Sequence, residues 1–435
     1  MKKSSILLAS VMAGLLVIIP LGAYATTTIE YWNDMGIGEK WANTEVIEMF
    51  QKENPGIKVN DSYVPDSFGT QVSQKLLTAI AAGIPPDVAW FDRFAVGSWA
   101  AEGALTDLSA LVERDNVKGS DYFDFAWREA NYLGKTYGLP TDTDARFLFF
   151  NKGHFREIGL DPNSPPETIE ELEEVAAALT IYAGRDKFER LGFAPWVADD
   201  DWLYLWAWVF GGRFYDPIAK RITLTDPGVV NATKWLLKYT NDIGGAEVLQ
   251  DFVANPRALA GGEVQNAFLS EQVSMDVNGN WFIYDLVTFA PDIDWGISFT
   301  PHPPGVAPTT WSGGFAVVIP RGAKNVEAAW QFAKYYGYGP GNKHYAVGIK
   351  NIPTLKAAAQ EALKDPNYGT AAMKFIMSVM PNSHNRPVLP TANLLQNTIV
   401  AITDVMLYEE GGIEETLKKA NEEMNAKLAT YPGFE

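Results

Sequence analysis

The chain of 435 residues carries 35 Lys and Arg against 53 Asp and Glu, a formal net charge of −18, and is 47% hydrophobic and 13% aromatic. That length exceeds what one hydrophobic core usually supports, so two packed domains are expected, and the acidity opposes nucleic acid and anionic lipid as partners. Cysteine is absent, which removes disulfides, thiolate nucleophiles, Cys-ligated zinc and iron–sulfur clusters together.

Residues 1–25 read as an export signal. Lys2 and Lys3 precede the apolar run Ile6 to Ile19, and Pro20 and Gly22 then break it before Ala23-Tyr24-Ala25. The run is shorter than the about 20 residues of a membrane span. Cleavage after Ala25 is expected, and with no Cys at that point the new N-terminus takes no diacylglyceryl anchor. Loss of the two lysines leaves 33 basic against 53 acidic residues, or −20. A soluble product in the periplasm or another extracytoplasmic space is expected.

Thr28 to Trp32 alternates as a strand, and Glu39 to Asn54 follows as a helix stopped by Pro55-Gly56. Ile57 to Val64 reads as a second strand. Phe68, Val72, Leu76 and Ile80 recur every fourth residue in a helix ending at Gly83, and Val88 to Phe91 is a short buried strand. Strand–helix–strand–helix–strand implies a parallel sheet, whose ligands collect beyond the carboxyl ends of the strands. Those ends carry Trp32-Asn33-Asp34, Asp66-Ser67 and Asp92-Arg93.

A second α/β region is expected from Phe147, with strands at Phe147 to Phe150 and Val273 to Val277 and helices at Glu167 to Thr180 and Asp226 to Asn241. Phe315, Val317 and Ile319 alternate as a strand that feeds a helix at Val326 to Tyr336. From about Thr354 the pattern is mostly helical. The Pro-rich Thr300 to Pro308 is a surface loop or a hinge-adjacent segment, not a flexible domain linker.

Catalytic signatures are missing. No Ser sits in a Gly-x-Ser-x-Gly elbow, no phosphate-cradling loop occurs, and the four His are scattered. Asp199-Asp200-Asp201 reads as a solvated helix start before Trp202, and Asp142-x-Asp144 lacks the rest of a calcium loop. No metal site and no cofactor are expected. The 14 Trp say more. Trp32, Trp202, Trp281 and Trp311 fall where loops are expected, whereas Trp235 and Trp330 lie on apolar helix faces and read as core. Indole faces stack on pyranose rings while carboxylates and amides take the hydroxyls, so an exported acidic chain of this kind suits carbohydrate.

Four stretches together resemble the extracellular solute-binding proteins of carbohydrate ABC importers, the maltose-binding-protein-like family. They are Pro85 to Phe94 with Glu102 to Leu108; Gly134 to Pro140 with Phe149 to Lys152; Ala267 to Ser270 with Val273 to Trp281; and Ser312 to Pro320 with Ala328 to Lys334. The resemblance implies an α/β, two-lobed periplasmic-binding-protein fold with hinge strands and a ligand cleft between the lobes. It implies an N-terminal lobe of residues 26–142 and 297–337 and a C-terminal lobe of residues 143–296 and 338–435. Crossings near Thr141 to Asp144, Ile297 to Thr300 and Gly337 to Gly341 would permit hinge closure.

By position, the resemblance makes Asp34 a sugar-hydroxyl acceptor, Asp92 and Arg93 an acid–base pair on the hydroxyls, and Asp144 a further carboxylate. Trp281 matches the Trp that closes the family's Asn-Gly-x-Trp motif, here Asn278-Gly279-Asn280-Trp281, and Trp202 lies in a region that supplies an aromatic platform. Trp32, Asp66, Ser67, Trp311 and Gly313 join them as candidate ligand-facing positions. Near Met380-Pro381 the chain departs from maltose-binding protein, offering Asn385-Arg386-Pro387 in place of a Trp, and Arg386 is a further candidate. The expected partners are a carbohydrate and the permease subunits of an ABC importer, with the receptor a monomer. A receptor for a non-sugar solute such as a glycerophosphodiester, and a secreted glycoside-acting enzyme, are the alternatives. The first would need Arg or Lys gathered at the cleft, where Arg93 and Arg386 are the obvious candidates; the second would need paired carboxylates of unlike pKa.

Overall fold

A computed structural model describes residues 26–65, 74–184, 187–195, 202–257, 266–408 and 412–434. The export signal, Asp66, Ser67, Phe68, Val72 and the Asp199-Asp200-Asp201 helix start therefore lie outside the described residues.

The first third follows the expected order: β1 (Thr27–Asn33), α1 (Ile37–Glu53), β2 (Ile57–Tyr63), α2 (Gln74–Ala81), β3 (Val88–Asp92), then β4 (Gly138–Pro140). At the start of α1, Glu39 reaches back so that its Oε2 accepts the Gly36 N–H at 2.8 Å, satisfying a donor the helix itself leaves unpaired. Strands β2, β1 and β3 are parallel, as the helical crossovers require.

A second series follows: β5 (Arg146–Asn151), α3 (Ile169–Leu179), β6 (Ile181–Gly184), β7 (Lys187–Ala194), α4 (Leu203–Val209), β8 (Val273–Gly279), α5 (Phe282–Phe289) and β9 (Trp295–Ser298). A reciprocal cap starts α3: the Thr168 hydroxyl accepts the Glu171 N–H, and the Glu171 carboxylate accepts the Thr168 N–H, both at 3.2 Å. The five strands order as β9-β5-β8-β7-β6.

The chain then returns to the first sheet. The strand β10 (Phe315–Val318) runs antiparallel between β3 and β4, giving the order β2-β1-β3-β10-β4. The alternation Phe315, Val317, Ile319 marked this strand but not its place, because its partners lie about 175–230 residues earlier. The helix α6 (Val326–Tyr338) follows it.

Two sheets with their own helices make two lobes, and their cores follow the alternation of the strands. On one face of the first sheet, Ile29, Tyr31, Val88, Trp90, Val317 and Leu139 pack against Val46 and Phe50 of α1 and Trp330, Phe332 and Tyr336 of α6. Each large side chain buried in this way contributes about 1.5–3 kcal/mol. Tyr345 of the following helix, Pro340–Gly348, belongs to the same cluster. In the second sheet, Leu148, Phe150, Phe193, Met275 and Val277 face Leu172, Ala176 and Leu179 of α3, while Phe147 and Phe149 face Phe282 and Leu286 of α5.

Between the sheets the chain crosses at residues 141–145 and 299–314, and buried polar groups fasten the crossings. The Arg93 guanidinium donates to the carbonyls of Asp142 and Gly313 and to the Thr143 hydroxyl, while its Nε meets the Glu129 carboxylate at 3.1 Å. The Asp142 carboxylate accepts from the Thr141 hydroxyl and from Asn351 Nδ2, each at 2.7 Å; burial nevertheless pushes its pKa up to about 6. Gly314 has φ +126°, and a Cβ there would run into the Asp142 carbonyl, Arg93 and Thr143.

Candidate functional site

The carboxyl ends of β3 and β8 both reach the crossings, β3 through Arg93 and β8 through Arg146, which pairs with Asp144. From the first sheet, Trp32 and Asp34 are half-buried at the end of β1. Asp92 closes β3 and caps the short turn after it, accepting the Phe94 N–H at 3.2 Å. Arg93, next in the chain, turns its guanidinium to the crossing segments as described above and is wholly buried.

From the second sheet, β8 delivers Asn278, Gly279 and Trp281. Asn278 is committed locally: its Oδ1 accepts the Gly279 N–H at 2.8 Å, and its Nδ2 donates to Asp276 at 3.1 Å. Trp281 folds back over Gly279, where any Cβ would overlap the six-membered ring, so the indole needs that glycine. Trp281 stays half-buried, whereas Trp311 and Trp202 are 1% and 3% exposed.

The structure binds these pieces through two arginines. Arg146 opens β5 opposite Gly279 in the antiparallel ladder. Its guanidinium carbon lies 4.8 Å from the centre of the Trp281 ring and 3.9 Å from that of Trp311. Arg386 lies 5.2 Å from the same Trp311 ring and 3.7 Å from the ring of Phe94. A column Trp281–Arg146–Trp311–Arg386–Phe94 therefore joins the edges of both sheets, with each cation facing aromatic π-density. Around Trp311 stand Trp202, edge-on at 6.4 Å, with Tyr204 and Trp208, and Trp208 stacks on His384 at 5.4 Å. Desolvation lowers the pKa of His384 below the ordinary imidazole value.

Every one of these arginines has a carboxylate: Arg93 has Glu129, Arg146 has Asp144 and Arg386 has Asp92. Asp144 also accepts the Gly313 N–H at 2.8 Å. Burial raises the pKa of Asp92 and of Glu129 even though the arginines pull both down. Among the described residues no group of three or more His, Cys, Asp or Glu is placed to hold a metal ion.

Of the sequence candidates, Asp92, Asp144, Trp202, Gly279, Trp281, Trp311, Gly313 and Arg386 fall in this connected cluster. Trp32 and Asp34 lie at the carboxyl end of β1, and Asp66 and Ser67 lie outside the described residues. Arg146, Phe94 and Trp208 went unread in the sequence. Arg146 had a signal, a cation opening the otherwise apolar run Phe147 to Phe150, two residues after Asp144.

Residues 27–337 match the family described as bacterial extracellular solute-binding protein. A binding protein of Brucella abortus (strain 2308) is 26% identical over 388 residues, covering 87% of this chain and 89% of its own. The maltotriose-binding protein of Pyrococcus abyssi is 24% identical over 403 residues, covering 90% of this chain and 81% of its own. The solved structure of CpMnBP1 with mannobiose bound superposes with a TM-score of 0.81 at 26% identity, over 92% of this chain and all of that one. Among the described residues, no helix is long and apolar enough to cross a membrane. The family match spans well over half of the chain, and the chain belongs to the bacterial extracellular solute-binding protein family.

Proposed function

We propose that the protein is an exported sugar receptor that captures an oligosaccharide between its lobes and delivers it to the permease of an ABC importer. The observation that carries this reading is the indole of Trp281. It is left half-buried at the edge of the second sheet beside the Asp144–Arg146 pair. A pyranose stacks its apolar face on such a ring and presents its hydroxyls to charged partners. The relatives named for maltotriose and mannobiose support the ligand class. A phosphodiester ligand is disfavoured, because Arg93, Arg146 and Arg386 are each already balanced by a carboxylate.

The receptor acts without turnover. Ser274, His154 and Glu271 do form a row, with the Ser274 hydroxyl 3.0 Å from the His154 ring. Ser274 is fully buried within β8, however, where no substrate reaches its oxygen. On this reading the mature chain begins at Thr26 without a lipid anchor and works as a monomer that meets the permease subunits of an ABC importer.

The test is a thermal-shift screen over neutral oligosaccharides, with mass spectrometry of the incubated sugar. Ligand bound only by the folded chain raises Tm, and at 100-fold excess over Kd the gain is about 2.7 kcal/mol. A rise of several degrees with intact sugar is expected. No rise with any sugar, or accumulating cleaved product, overturns the reading.

A further inference from the structure

We infer, building on the sugar-receptor reading, that Arg146 and Asp144 jointly read hydroxyl groups of an uncharged sugar ring and reject a ring bearing a carboxylate or phosphate at that position. Arg146 is 7% exposed, and the indoles of Trp281 and Trp311 fix the plane of its guanidinium. Its Nη1 donates to Asp144 Oδ1. Among the described residues, its Nη2 makes no hydrogen bond and is the donor left for a ligand, whereas Nε, also unpaired, is shut away from solvent. Asp144 Oδ1 is also held by the Gly313 N–H, whereas Oδ2 has no donor among the described residues. Gly313 lets the pair lie this close to the backbone: a Cβ there would come within 3.1 Å of both Arg146 Nη1 and Asp144 Oδ1.

The Nη2 donor and the Oδ2 acceptor thus stand unused on one ion pair. A ligand that covers them and leaves either unmatched costs free energy. A hydroxyl both donates and accepts, so one hydroxyl, or two on neighbouring ring carbons, satisfies Arg146 and Asp144 together. A carboxylate or phosphate only accepts. It would engage the guanidinium but bring its lone pairs against Asp144 Oδ2, adding a third charge to a pair that is already neutral. The next cation along the column cannot offset that charge, because Arg386 is paired with Asp92. The net charge of −18 opposes an anionic ligand further.

Calorimetric titration tests this with mannobiose and maltotriose as neutral probes and the mannuronate disaccharide as the acidic one. The better neutral sugar should bind at least about 100-fold tighter than the uronate. Arg146→Lys keeps the charge but loses the planar fork, and should weaken the neutral sugar about 10- to 100-fold. Should that variant fail to fold, the wild-type chain decides through the monofluorinated derivatives of the same sugar. Fluorine cannot donate to Asp144, so one ring position should lose about 10- to 100-fold. Equal binding by Arg146→Lys, tolerance of fluorine at every position, or a uronate that binds as well as the neutral sugar overturns the inference while leaving the receptor reading intact. Failure of both neutral sugars, with binding of glycerophosphocholine instead, overturns both.

Discussion

Arg386 and Asp92 stand 294 residues apart in the chain, yet one nitrogen of the guanidinium, Nη2, reaches both carboxylate oxygens, at 3.0 and 2.8 Å. The segment after Met380 is thereby tied to the last residue of β3. Both side chains are buried, and burial raises the pKa of Asp92 in spite of the cation, so desolvation outweighs the attraction. Asp92→Ala should therefore cost about 3–5 kcal/mol, because it strips a buried guanidinium of the carboxylate that both of its short contacts reach. Asp92→Leu combined with Arg386→Met should regain most of that loss. Urea denaturation of the two singles and the double gives the coupling directly.

Trp281 and Trp330 are a matched pair for separating a binding surface from a core. Trp330 is 0% exposed, and its Nε1 donates to Asp115 at 2.8 Å. Trp330→Ala should cost about 3–5 kcal/mol through the cavity it leaves, while surviving folded protein still binds sugar. Trp281→Ala gives up mainly a half-exposed ring and its contact with Arg146, the latter about 0.5–1 kcal/mol, so its melting temperature should stay within a few degrees. Losing about 100 Å² of sugar-covering surface should weaken binding by about 2–3 kcal/mol, which is about 30- to 150-fold in Kd. Scanning calorimetry and titration on both variants check this.

Asp276 makes stability depend on pH. It is 0% exposed within β8, and burial drives its pKa from 3.8 to about 8. Between those values the folded chain holds a proton that the unfolded chain gives up. The stability this supplies is complete below the unfolded pKa and is lost as pH rises through about 8. Glu39, raised to about 7, and Asp142, raised to about 6, act in the same direction. Wild-type Tm should therefore fall from pH 5.5 to pH 8.5, and Asp276→Asn should flatten much of that fall and melt higher at pH 8.5.

Gly314→Ala probes the crossing segments. Its φ of +126° suits glycine, and the added Cβ meets backbone atoms of residues 142 and 143 that no rotamer change can move. The loss should exceed the about 1 kcal/mol of an ordinary Gly→Ala mismatch. In the wild type, small-angle scattering should show a smaller radius of gyration with saturating sugar than without it. Identical curves would count against hinge closure.

The local periods of the sequence carried most of the elements. β1, β2, α3 and α6 lie within a few residues of where alternation or a 3.6-residue repeat puts them, and β3, β5 and β8 read as short apolar runs because both of their faces are buried. Long-range pairing had no such trace, and the insertion of β10 between β3 and β4 is the example. Trp311 shows the same limit at the site. As a Trp next to a Pro-rich loop it reads as open. In fact the pairing of Thr310 and Trp311 with Ser383 and His384 draws it beneath Trp202, Tyr204 and Trp208. Trp330 was legible as core because it sits on one face of a helix with Ala329 and Ala333.

The position of β10 also sets when the first lobe can form. Its sheet lacks the strand that joins β3 to β4 until residue 318 has been made, so the early part of the chain has no finished structure to settle into during synthesis. Pairings over such separations are slow to nucleate, because loop-closure entropy is lost before the contacts compensate for it. Under the proposed export, this delay would keep the first lobe threadable until the strand from the far end of the crossing has also passed the membrane.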